Sequence, residues 1–137
     1  MHKLLVVDDS LTLRNIIVRT LRQSDLPIDE IVEAASGAVG LQQLELHPDV
    51  EVVLCDVDMP GMNAVEFVRS VVREHGNERP VLVVVTTESR RATADAALEA
   101  GADTCLEKPF TPDGVRAVLA PYLCDSVSAT PASSSRS

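Results

Sequence analysis

With 137 residues, 45% of them hydrophobic and 24% charged, the chain suits one globular domain and is too apolar to be disordered along most of its length. A formal net charge of −9 opposes binding to polyanions and excludes direct nucleic-acid contact as the expected role, and no run approaches the roughly 18 apolar residues of a membrane span. The opening MHKLLVVDD places two acids after an apolar run too short for a secretory leader, and Cys55, Cys105 and Cys124 form no C-x-x-C pair, so the expected setting is the cytoplasm with reduced, packed thiols.

The first β-branched apolar run, Lys3–Val7, predicts a strand, and Leu13, Ile16, Ile17, Thr20 and Leu21 then repeat at helical spacing. Glu30–Ala34 predicts the second strand, followed by a helix whose apolar set is Val39, Leu41, Leu44 and Leu46. Glu51–Cys55 is the third, followed by Val65, Val68 and Val72 on a third helix. Val81–Val85 leads into Ala-rich Ala92–Ala100, which Gly101 stops, and Thr104–Leu106 precedes Val115, Val118, Leu119 and Tyr122. From Asp125 the chain reads DSVSATPASSSRS, with too few apolar side chains to offset the entropy of ordering it. The expected division is a domain over 1–124 and a disordered Ser/Ala-rich tail over 125–137. Strands alternating with helices imply a parallel sheet covered on both faces, and an isolated half-barrel would leave open edges, so the expected class is α/β with a doubly wound five-stranded sheet and five helices.

In such sheets ligands bind beyond the carboxyl ends of the strands. There the first strand meets Asp8-Asp9, the third Asp56, the fourth Thr86-Thr87, and the fifth runs through Glu107 into Lys108-Pro109. Taken singly, an Asp after a strand is most often a turn residue or a cap, and Ser10 or Asp9 suits the cap of the first helix. Convergence changes the reading, because Asp8, Asp9 and Asp56 brought together repel one another unless a cation lies between them. A hard divalent ion with oxygen ligands, Mg²⁺ above all, fits such a set, and Lys108 adds a fixed positive charge. Carboxylate-held Mg²⁺ points to phosphoryl chemistry, with Asp56 on the middle strand as acceptor and Thr86 as a hydroxyl donor.

The runs VVDDS, LCDVDMPGMNAVEF, PVLVVVTTES and AGADTCLEKPF, in that order, resemble the receiver domains of two-component signalling over about Lys3 to Leu123. The similarity is greatest to the single-domain, CheY-like type of response regulator. It also selects the flavodoxin-like strand order 2-1-3-4-5, which right-handed crossovers permit but do not dictate. The resemblance implies that Asp56 is the phosphoacceptor, that Asp8 and Asp9 place Mg²⁺, and that Asp58 offers its backbone carbonyl to the metal. Thr86 would be the switch hydroxyl, Lys108 the partner of the phosphoryl group, and Lys108–Pro109 a cis peptide. Asp58, Thr87 and Glu88 resemble positions that tune the phosphoryl lifetime. Cys105 stands where the family often has a switching aromatic ring, Thr87 is bulkier than the usual Ala or Gly, and Ala64 replaces a frequent Gly. Implied partners are a sensor histidine kinase or phosphotransfer protein and an output protein that binds the phosphorylated form, with the chain a monomer or a phosphorylation-dependent dimer. Such a protein catalyses only its own phosphorylation and dephosphorylation. Competing readings are a phosphorylation-independent adaptor and, on Asp56-Val57-Asp58, a haloacid-dehalogenase-type phosphohydrolase; a flavodoxin-like cofactor binder lacks the aromatic residues it would need. His2, His47 and His75 lie in no shared motif and are expected at the surface.

Overall fold

The computed structural model describes residues 2–57, 59 and 61–123; Asp58, Cys124 and the segment 125–137 lie outside the described residues. Five strands, β1 (Lys3–Val7), β2 (Glu30–Ala34), β3 (Val50–Asp56), β4 (Val81–Thr86) and β5 (Thr104–Glu107), alternate with helices α1 (Leu11–Gln23), α2 (Gly37–Leu46), α3 (Ala64–His75), α4 (Arg91–Ala100) and α5 (Pro112–Leu123). All strand pairs are parallel, and the order is β2-β1-β3-β4-β5. The fold is therefore the doubly wound, flavodoxin-like sheet expected from the alternation and the resemblance.

Side chains on a strand alternate between faces, so the runs KLLVV and VEVVLCD feed two cores at once. Leu5, Val7, Val53, Cys55, Leu82 and Val84 pack on the side of α2, α3 and α4, around Phe67. Leu4, Val6, Val52, Leu54, Val83 and Val85 pack on the side of α1 and α5. Helix starts are set by local chemistry. The hydroxyls of Ser10 and Ser36 accept from Leu13 N and Val39 N, and Asn63 and Glu66 form a reciprocal capping box at α3. Thr111 accepts from Gly114 N, with Pro112 at the first helical position of α5, where its missing N–H costs nothing. Ala64 lies buried in the first turn of α3 in ordinary helical geometry, so this position places no demand on a glycine.

Two features depart from the sequence pattern. The polar residue after the third and fourth apolar runs continues the ladder: Asp56 pairs with Val85 and Thr86 with Glu107, so these side chains stand on strands rather than in loops. In α2 the inward face is Gly37, Gly40 and Leu44, whereas Val39 and Leu46 of the expected apolar set are exposed. Close approach explains this, because a Cβ on Gly40 would lie 2.9 Å from the Phe67 ring and 3.0 Å from Val7. At the edges of α1 and α5, Ile16 and Tyr122 are likewise partly open to solvent.

Gly101 ends α4 with φ +131°, and a Cβ there would meet Val72 Cγ2 at 2.8 Å, whereas Gly76, with φ +56°, faces open space. Gly101→Ala should therefore lose about 1–3 kcal/mol in urea unfolding, and Gly76→Ala less, since only the first combines backbone strain with a core contact.

Candidate functional site

The site is built where β1, β3, β4 and β5 end. Asp8 leaves β1 with its N–H donating to Ala34 O at 3.0 Å, and its Oδ1 accepts from Ser10 N at 2.9 Å, so the turn that caps α1 also orients this carboxylate. Asp56 is the last residue of β3. Carboxylate oxygens of Asp8, Asp9 and Asp56 all lie within 4.8 Å of one another. Asp8 is 0% exposed and Asp56 4%, while Asp9 faces solvent.

Burial pushes the Asp8 carboxyl above its ordinary value; the Ser10 N–H and the charge of Lys108 pull it back, Asp9 raises it, and Arg14 lowers it. Asp8 Oδ2 is shielded from water and has no hydrogen-bond partner among the described residues. A buried, unsatisfied carboxylate oxygen beside two further carboxylates, with no nitrogen or sulfur donor in the set, fits a hard divalent cation. Lys108 supplies a positive charge beside the acids, its Nζ 3.6 Å from Asp56 Oδ1. Its backbone N–H donates to Thr86 O at 2.8 Å, which fastens it to β4, and the Lys108–Pro109 peptide is cis.

Thr86 is buried on β4, with its hydroxyl donating to Thr87 O at 3.0 Å. Thr87 shares a hydroxyl hydrogen bond with Ser89 and, with Asp9, Asp56, Arg90 and Lys108, lines an open cavity of about 480 Å³. Glu88 is exposed on the short turn before α4, and Cys105 is half-buried against the α3–α4 core rather than at the acids. Asp58 lies outside the described residues.

Sequence reasoning passed over Arg14. Its guanidinium donates to Asp8 O at 2.7 Å and to Glu33 Oε1 at 3.1 Å, pinning the end of β1 to β2 beneath the acids. Its position one helical turn after the Ser10 cap was the available signal. Arg91, by contrast, faces Asp95 and Glu107 on its own surface, as an exposed helix-start residue does.

The chain matches the response regulator receiver domain family over residues 4–120. It belongs to that family. Among curated relatives, it is 41% identical to a "Chemotaxis protein CheY homolog" of Campylobacter jejuni over 117 residues, covering 85% of this chain and 88% of the relative. It is 37% identical over 117 residues to "Chemotaxis protein CheY1" of Helicobacter pylori, covering 85% and 93%. Among solved structures, the receiver resembles the chemotaxis response regulator CheY4 of Vibrio cholerae at a TM-score of 0.76 and 30% identity, covering 90% and 99%. It is thus a CheY-like receiver of two-component phosphorelay signalling. The phosphohydrolase and flavodoxin-like readings find no support in these matches. Among the described residues no helix is long and apolar enough to cross a membrane.

A divalent cation should raise the unfolding free energy of the chelator-treated receiver by about 2.7 kcal/mol at 100 times its dissociation constant. Asp8→Asn should remove most of that gain. Because the folded pKa of Asp8 is raised, the folded state holds the Asp8 proton more tightly than the unfolded chain. Without metal, ionised Asp8 therefore costs stability above its folded pKa, and that cost fades as pH falls through it. Protons compete with the cation over the same range, so calorimetric affinity should rise with pH through the Asp8 titration and then level off.

Proposed function

We propose that this receiver is a phosphorylation-controlled switch in which Asp56 accepts the phosphoryl group from a phosphohistidine of a sensor kinase or phosphotransfer protein. The observation that carries this reading is the convergence of Asp8, Asp9 and Asp56 at the strand ends with Lys108 Nζ 3.6 Å from Asp56. An Asp56 carboxylate oxygen attacks phosphorus as the phosphorus–nitrogen bond breaks, and the imidazole leaves with a proton. When bound, Mg²⁺ supplies neutralisation of charge on the phosphoryl oxygens, held by Asp8, Asp9 and Asp56 with the backbone carbonyl of Asp58.

Lys108 neutralises a further phosphoryl oxygen, and its backbone tie to Thr86 O holds the ammonium on the sheet. Asp8 and Asp56 are positioned by strand ends and a helix cap, so little reorganisation accompanies the transfer. Thr86 is the switch: its hydroxyl releases Thr87 O and rotates about χ1 to donate to the new phosphoryl oxygens. That exchange biases the β4–α4–β5–α5 face toward a form that binds an output protein. Cys105 cannot reproduce an aromatic ring turning between two pockets, so the shift travels through the β4–β5 backbone that joins Thr86 to Glu107 and Lys108. Thr87, Glu88 and Asp58 set the phosphoryl lifetime, Thr87 by narrowing the cavity over Asp56. The only chemistry catalysed is the protein's own phosphorylation and dephosphorylation.

The chemotaxis regulators among the relatives support an output partner of that kind of pathway. We assign 1–124 to the receiver and 125–137 to a Ser/Ala-rich tail, place the protein in the cytoplasm, and read it as a monomer or a phosphorylation-dependent dimer.

Incubation with Mg²⁺ and acetyl phosphate should add the mass of one phosphoryl group, labile to base and absent from Asp56→Asn. Lys108→Ala should slow its appearance by about 10²-fold. No adduct on folded protein with either acetyl phosphate or a phosphorylated kinase would leave the adaptor reading in its place. Thr86→Ala should still take the phosphoryl group, yet lose most of the phosphorylation-dependent gain in partner affinity, measured by comparing partner binding of phosphorylated and unmodified protein.

A further inference from the structure

At the amino-terminal end of the sheet, opposite the acids, the last turns of α2 and α3 lie side by side. The residues expected to be bland surface are organised here. His47 and His75 are half-buried, and with Glu74 and Glu78 they line a cavity of about 190 Å³. Donor atoms of Glu45, Glu74 and His75 all lie within 4.8 Å of one another. His75 Nε2 is shielded from solvent and has no hydrogen-bond partner among the described residues, although a shielded ring nitrogen ordinarily finds one.

The surrounding charges also call for a cation. The carbonyl ends of two helices carry partial negative charge, yet α2 has no basic residue in its last turn and places Glu45 there. Arg73 stands 3.9 Å from Glu74 at the α3 end, but it is 70% exposed, an ion pair of little strength. Lys3 is engaged with Asp49 and Glu30, and Arg79 with Asp103. Lys3 Nζ also lies 3.3 Å from His47 Nδ1, so that nitrogen is engaged and the ring serves as a wall of the cavity.

We propose that Glu45, Glu74 and His75 form a second metal site, for a first-row transition ion with Zn²⁺ foremost, completed by water. The imidazole donor separates it from the all-oxygen acidic site and favours Zn²⁺ over Mg²⁺. Tetrahedral ligands around zinc lie about 3.3 Å apart, and the two glutamates, both on the surface, have the freedom to close that distance. The site does not rest on the phosphorylation reading.

The test uses untagged protein carrying Asp9→Asn and Asp56→Asn, which disables the acidic site, titrated with Zn²⁺ by calorimetry and with Co²⁺ by absorption. One saturable Zn²⁺ site is expected, weakened at least about tenfold by His75→Gln and by Glu45→Gln, with no thiolate charge-transfer band for Co²⁺. Absence of saturable binding, equal affinity in both variants, or a thiolate band that moves the ion to a cysteine would each overturn the proposal. Glu45 is exposed, so Glu45→Gln keeps the test decisive even where His75→Gln perturbs the fold.

Discussion

Mutual repulsion among Asp8, Asp9 and Asp56 is the constraint on which the rest of the site depends. Two of these carboxylates are buried at the ends of neighbouring strands, where neither can turn away to water. The sheet that holds them is covered on both faces, so the strain cannot relax by bending a strand. Lys108 offsets part of the charge from β5, and Arg14 fastens the Asp8 backbone from α1. A net deficit of positive charge remains; a divalent cation removes it and keeps coordination positions that an anion can fill. A phosphoryl group is such an anion.

Under the proposed function, the same geometry turns a local chemical event into a change of surface. Thr86 ends β4, Lys108 directly follows β5, and a backbone hydrogen bond joins them, so whatever draws the Thr86 hydroxyl away from Thr87 O acts on both. Beyond them α4 begins at Arg91, without a side-chain cap to hold its first turn. An uncapped helix start beside the reacting group is the element with least to lose when the loop moves.

Much of this was legible in the sequence because its signals were local. Runs such as VLVVV permit only a strand buried on both faces, and acids directly after such runs fall on the ligand-binding edge of a parallel sheet. The α2 face was partly misread for a specific reason: periodicity counts apolar side chains, whereas beside Leu44 the buried face of α2 holds Gly37, against Met62, and Gly40, which admits Phe67 and Val7. Arg14 was passed over, and His75 was expected only at the surface, because Arg14 meets Glu33 of β2 and His75 lies beside Glu45 of α2, residues distant from them in sequence. Nothing in the spacing of single residues reports a contact that only the fold creates.

The central claim is that Asp56 takes a phosphoryl group beside a cation held by its acidic neighbours. A crystal structure grown with Mg²⁺ and beryllofluoride, a mimic of the phosphoryl group, tests it most directly. The account predicts a beryllofluoride on an Asp56 carboxylate oxygen, Mg²⁺ among Asp8, Asp9 and Asp56, and Thr86 turned toward the fluoride. An acidic site holding neither ion, or the fluoride bound away from Asp56, would contradict it.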